Sequence, residues 1–348
     1  MEGGRILSRI YKWDYLKFFL IFLVVLGHAA DRYTADSSIM RSLFVFIYAF
    51  HMPAFMFVSG LFSKRTIDQA RYKRAFSFLY LFISMKLIVA ATNFIESGDY
   101  TAHIFEEPGI PWFAFALFVF YLVGISVRRL DSRFVLVVAV LIALFVGTET
   151  EYLDFLVVGR IAVFFPFFYL GYLVDQRSVA QFASRFWMRL VSAVVFLGFG
   201  LLCFLRPDQM YWFRKAFTGR NAYATFGDLA VWGPFIRLGH LLLALVLILA
   251  LISLMPDRTR GSYSKAEQVI AGFGARSMQV YLLHVPTLAI FFSILRKQDV
   301  LEWGSFPVRG IVIVTIAVIT TLVLSTSYFG KLTELLSQPK FAAALIAE

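Results

Sequence analysis

The chain has 348 residues, 60% of them hydrophobic and 16% charged, with a mean hydropathy of +0.75 and a formal charge of +11. Soluble domains carry about 25% charged residues, so a soluble globular protein is excluded, and 40 phenylalanines with a single cysteine exclude intrinsic disorder, a disulfide scaffold and a multi-cysteine metal module. In a polytopic membrane protein the positive charge is first a topology signal and calls for no nucleic acid.

In chain order, apolar runs predict spans at about 14–30, 41–62, 75–95, 111–127, 134–148, 156–174, 190–205, 229–254, 272–295 and 308–328. The fold expected is therefore an all-α membrane bundle of about ten transmembrane helices, read as a single domain over 1–348. With the N-terminus inside, twenty-one of the 33 lysines and arginines fall in inside segments, at 5–17, 64–74, 128–133, 177–189, 258–276 and 331–340. This asymmetry places both termini in the cytoplasm. Ala29-Ala30 could mimic a signal-peptide cleavage site. The run before it carries Lys17 and His28, however, and more membrane follows. Cys203 lies in an apolar span and reads as packing.

Ionisable groups inside spans are costly and mark candidate sites. Three histidines stand out: His28 near the outer end of span 1, His51 midway along span 2 and His284 midway along span 9. The last two share a local pattern, His51-Met52-Pro53 and His284-Val285-Pro286, in which proline removes a helix hydrogen bond and opens space beside the imidazole. The simpler reading is that each histidine bonds a neighbouring helix. Between spans 2 and 3 lie Lys64, Arg65, Arg71, Lys73 and Arg74. Arg71 and Arg74 are three apart, which on a helix puts them on one face, and two guanidiniums suit a multiply phosphorylated ligand. Topology and contact with anionic membrane lipids are the competing explanation.

Lys17 and His28 are eleven residues apart, about 16 Å along a helix. A cation at the cytoplasmic mouth and a base within the membrane thus lie on one helix, and an acyl-CoA thioester, phosphates at one end and acyl group at the tip of a thin arm, has the shape to bridge them. Trp13-Asp14-Tyr15-Leu16-Lys17 through Gly27-His28, Phe50-His51-Met52-Pro53 through Ser59-Gly60, and Arg71-Tyr72-Lys73-Arg74 together resemble the signature of the acyltransferase 3 family of integral membrane acyltransferases, and within it the fucose 4-O-acetylase-like branch. Weaker matches are Pro111-Trp112-Phe113, Arg160 through Gly171, and Tyr281-Leu282-Leu283-His284, so the resemblance spans about 9–290.

The resemblance implies O-acyl transfer, usually acetyl, from acyl-CoA to a hydroxyl of a carbohydrate or glycolipid of the cell envelope, by a multi-pass protein of the bacterial inner membrane. Lys17, Arg71 and Arg74 would hold the donor. A sugar hydroxyl needs a base as it attacks a thioester, and neutral imidazole suits that role, which assigns it to His28 with Asp31 as the candidate orienting carboxylate. Asp14 is expected to pair with Lys17 or another nearby base. His51, Ser59, Trp112, Arg160 and His284 are candidates for shaping the tunnel or holding the developing oxyanion. Trp212 and Arg214, with Tyr211, Lys215, Arg220 and Tyr223, are the acceptor-recognition candidates in the long outer segment 206–228. His103, Glu106 and Glu107 lack a recognised metal motif, so no metal is expected. Gly272-Phe273-Gly274 reads as flexibility at a helix start. The rival from another class is a transporter or flippase for an envelope lipid or small anion.

Overall fold

The computed structural model describes residues 10–97, 109–257, 264–297 and 306–337. His103, Glu106 and Glu107, and Arg5, Arg9, Arg258, Arg260 and Lys340 of the charge count, lie outside them. The described residues form α1 (Tyr11–Asp31), α2 (Ser38–Tyr48), α3 (His51–Leu61), α4 (Lys64–Asp68), α5 (Tyr72–Ser97), α6 (Trp112–Val127), α7 (Ser132–Phe145), α8 (Val158–Leu173), α9 (Gln176–Ala183), α10 (Phe186–Leu205), α11 (Pro207–Trp212), α12 (Arg214–Phe217), a 3-10 stretch (Tyr223–Trp232), α13 (Gly233–Leu254), α14 (Lys265–Ala275), α15 (Ser277–Lys297), α16 (Phe306–Leu324) and α17 (Gly330–Ser337). Each of the ten apolar runs is helical. Among the described residues six helices are long and apolar enough to cross a membrane, or up to eight if two bent pairs each count as one span. Helices α6 and α7 are apolar but shorter.

Two runs divide where the sequence reads as continuous. The second breaks at Ala49–Phe50, where Phe50 leaves helical geometry (φ −142°), and α3 restarts at His51. Pro53 therefore sits in the first turn of α3, where its missing N–H costs nothing, instead of kinking an unbroken span. The ninth run is split between α14 and α15. Gly274 is not at a helix start: a Cβ there would lie 1.8 Å from the Asp14 carbonyl oxygen, so this glycine lets α14 press against α1.

Helix α1 is the axis of the bundle. It packs against α2, α3, α13, α14, α15 and α16, and 72% of its apolar window is buried, against 17% for α10. On α10, Leu190, Val194, Leu197 and Leu201 recur at helical spacing and are exposed, which is what a lipid-facing stripe requires. Among the described helices α3 and α8 pack over the most extensive contact. A Cβ on Gly60 would lie 1.9 Å from the Phe168 carbonyl oxygen, and one on Gly171 would lie 2.1 Å from that of Phe57. Reciprocal glycines let the two backbones touch, the usual way helices associate where no water is present to drive them together.

Two chambers meeting at one histidine

Eleven residues are three helical turns, so Lys17, Ile21, Val24 and His28 form one stripe along α1, and all four line an inner chamber of about 240 Å³. Met52, Phe55, Ser59 and Phe62 face them across the same space, and α6 closes it with Trp112, Phe113, Leu117 and Tyr121. Its polar mouth is at the N-terminal end of α1. There Lys17 Nζ lies 2.8 Å from Asp14 Oδ1, the local pair expected, and 5.2 Å from the Phe62 ring centre. Arg74 lines the same mouth and stacks over Phe78 at 5.1 Å.

Arg71 is placed differently. It precedes α5 in a turn that puts Ala70 at φ 49°, it is exposed, and it is not among the chamber's walls. The expectation that Arg71 and Arg74 share a helical face fails because the helix begins between them, at Tyr72.

A second, outer chamber of about 440 Å³ shares His28, Met52, Ile110 and Trp112 with the first. It is walled by Asp31, Tyr48, His51, Arg160, Tyr211, Arg214, Arg220 and Asn221 among others. Arg160 is 3% exposed, and its guanidinium lies 5.0 Å from the centre of the Trp112 ring, which in turn stacks on Phe164 at 5.4 Å. Arg214 stacks on Tyr211 at 4.1 Å. Arg220 is bound in a fork to Asp154 at 3.1 and 3.0 Å. Trp212 does not face the chamber; it packs on Phe226 at 5.3 Å and lies beneath Lys215. Arg237, fully buried on α13, donates to the Ala216 carbonyl and, at 3.4 Å, to that of Asn221, tying down the loop that carries Arg214 and Arg220.

His51 and His284 are both buried and both bonded at Nδ1 to carbonyls of the preceding turn. His51 reaches the Ile47 oxygen at 2.9 Å; His284 reaches the Val280 and Tyr281 oxygens at 3.0 and 2.9 Å. The His284 ring centre is 5.4 Å from that of His28. Asp31 lines the outer chamber, is exposed, and makes no hydrogen bond with His28. Ser59 lies on the inner wall. No group of three or more metal-ligating side chains occurs among the described residues.

Sequence reading missed Tyr48 and the Asp154–Arg220 fork, and of the aromatic candidates Tyr211 and Trp212 the structure brings Tyr211 to the chamber. Tyr48 carries a detectable trace only in three dimensions: a Cβ on Gly27 would meet its ring at 3.2 Å, so the glycine one residue before His28 makes room for it.

The family model described as an acyltransferase domain, acyltransferase 3, matches residues 10–329. The chain belongs to this family. It is also 28% identical over 235 residues to the nodulation protein NolL of Sinorhizobium fredii (strain NBRC 101917 / NGR234), a match covering 62% of this chain and 60% of that protein. No solved structure matches the chain. Family membership and the apolar helices together mark a multi-pass membrane protein of the acyltransferase 3 family.

Proposed function

We propose that this acyltransferase moves an acetyl group from cytoplasmic acetyl-CoA to a hydroxyl of a cell-envelope carbohydrate or glycolipid, as in the fucose 4-O-acetylase-like branch, with His28 as general base. The observation that carries the reading is that two chambers, one running along α1 from Lys17 and the other reaching Asp31 at its far end, share the same histidine. The inner one is the smaller, mostly apolar along the stripe from Ile21 to Val24 and cationic near Lys17 and Arg74, which suits a phosphorylated head with a thin acyl-bearing arm. The outer one is wider and lined with hydroxyl, amide and guanidinium groups, which suits a polyhydroxylated acceptor.

In this reading the acceptor hydroxyl attacks the thioester carbonyl while His28 takes its proton. The tetrahedral intermediate collapses by breaking the C–S bond, and the departing CoA sulfur takes the proton back from the imidazolium. The products are the ester and free CoA, with His28 neutral again. Arg160, beside Trp112 at the junction, is the candidate for holding the oxyanion. The donor phosphates would meet Lys17 and Arg74. The bacterial inner membrane is the compartment in which a cytoplasmic donor and an envelope acceptor are both within reach.

The test is to incubate membranes containing the protein with acetyl-labelled acetyl-CoA and to follow label into envelope fractions. Label should enter one saccharide-containing fraction and leave it on mild alkaline treatment, as an ester does, and His28→Ala should lower the rate by about 10² to 10⁴. Retention of half the parent rate by His28→Ala removes it as the base.

A further inference from the structure

We infer that His284 is the positioning residue of this site: its free ring nitrogen accepts the N–H of His28 and so turns the other nitrogen of His28, lone pair outward, to the chambers. The inference rests on the reading of His28 as the base.

The chemistry of His284 is settled by its neighbours. Nδ1 lies on two carbonyl oxygens, Val280 at 3.0 Å and Tyr281 at 2.9 Å. Carbonyls only accept, so Nδ1 carries the hydrogen; a neutral imidazole has one N–H, and Nε2 is therefore a bare acceptor. That nitrogen is buried in a residue with no exposed surface and has no hydrogen-bond partner. Buried acceptors are almost always satisfied. The imidazole beside it is His28, 5.4 Å away between ring centres and tilted by 39°. Two imidazoles joined nitrogen to nitrogen through a hydrogen bond of about 3 Å have centres roughly 5.2 Å apart, so the rings already stand at the separation such a bond needs, and turning them to face nitrogen to nitrogen completes it.

The two rings also divide the labour. His28 lines both chambers and His284 lines neither, so substrates meet His28 alone. A neutral imidazole in solution exchanges its hydrogen between two nitrogens, and only one tautomer is a base toward a given direction. An acceptor whose own tautomer is fixed by two backbone carbonyls removes that ambiguity. It does so without placing a carboxylate in the membrane interior, where an added charge is costly. Asp31, exposed and not bonded to His28, leaves that role to His284.

The test uses the full-length protein in lipid nanodiscs, labelled with ¹⁵N-histidine, and reads the ring nitrogen shifts of His28, assigned by their loss in His28→Gln. The parent should show one tautomer for His28, one nitrogen protonated and one bare. His284→Leu should average the two signals and slow acetyl transfer about 10- to 100-fold at unchanged KM for acetyl-CoA. His284→Gln, whose amide oxygen stands near the former Nε2, should restore the single tautomer and most of the rate. Averaged His28 signals in the parent overturn the inference even if His284→Leu does not fold, and so do identical His28 signals in parent and His284→Leu. Either result leaves the base assignment standing. Activity in His28→Gln would instead sink the base assignment.

Discussion

The two chambers share four wall residues yet differ in how their polarity is arranged, and the difference follows from which elements build them. The inner walls are helix faces, with Lys17, Ile21, Val24 and His28 on α1 opposite Met52, Phe55, Ser59 and Phe62, so polarity collects at one end and at His28. The outer walls include the short helices and turns between α10 and α13, so arginine, tyrosine and asparagine are spread around the space. A regular helical stripe makes a duct for one extended molecule. Irregular segments, which carry side chains in many directions, make a recognition surface.

The largest break in this comparison is at the joint. Helix α3 walls the inner chamber and α8 carries Arg160 of the outer one, and the pair depends on Gly60 meeting the Phe168 carbonyl. A Gly60→Leu protein should lose folded yield in detergent and all acetyl transfer together, measured by size-exclusion chromatography and label incorporation. Monodisperse protein with parent activity would show that the close crossing is dispensable.

The inner mouth separates two neighbouring arginines. Removing the guanidinium that lines the chamber, in Arg74→Gln, should weaken acetyl-CoA binding by about 1.5–3 kcal/mol, the range for a charge-assisted bond, or roughly ten- to a hundredfold in Kd. Arg71→Gln, off the wall, should change Kd by less than about threefold. Calorimetry on both variants decides it, and equal losses would restore the two-arginine clamp expected from sequence.

A smaller effect is expected at the outer chamber, where in the proposed reading several groups would share the acceptor. Arg214→Gln should raise the KM for acceptor a few-fold and leave acetyl-CoA affinity unchanged, whereas Trp212→Phe should alter neither, since Trp212 faces Phe226. A larger change at Trp212 than at Arg214 would reverse the assignment.

The helices were legible because an apolar run of helical length has few alternatives in lipid, whereas the ten spans expected stand against six to eight helices or bent pairs, among the described residues, long and apolar enough to cross. The stripe from Lys17 to His28 was legible for a related reason: eleven residues return to the same helix face, and the structure keeps that register. What sequence could not show depends on tertiary contacts or on short irregular turns. The break at Ala49–Phe50 lies inside an unbroken apolar run, and the start of α5 after Arg71 follows from a turn at Ala70. Tyr211 and Trp212 are adjacent in a six-residue helix, so which one faces the chamber is decided by the packing of α11 on α2. His28 and His284 are 256 positions apart, and only the packing of α15 on α1 brings their rings together.

The central claim is that a donor entering past Lys17, toward the N-terminal end of α1, and Arg74 of α5 reacts at His28 with an acceptor from the other end of α1. Membrane vesicles of defined orientation test it directly. Acetyl-labelled acetyl-CoA, which does not cross a bilayer, is added to sealed inside-out and sealed right-side-out vesicles, and label in the saccharide fraction is counted. The account predicts incorporation in inside-out vesicles, little in right-side-out vesicles until they are opened, and a rate lower by about a hundredfold or more in either with His28→Ala. Equal incorporation by sealed vesicles of both orientations would contradict it, because the donor would then reach His28 without passing Lys17 and Arg74.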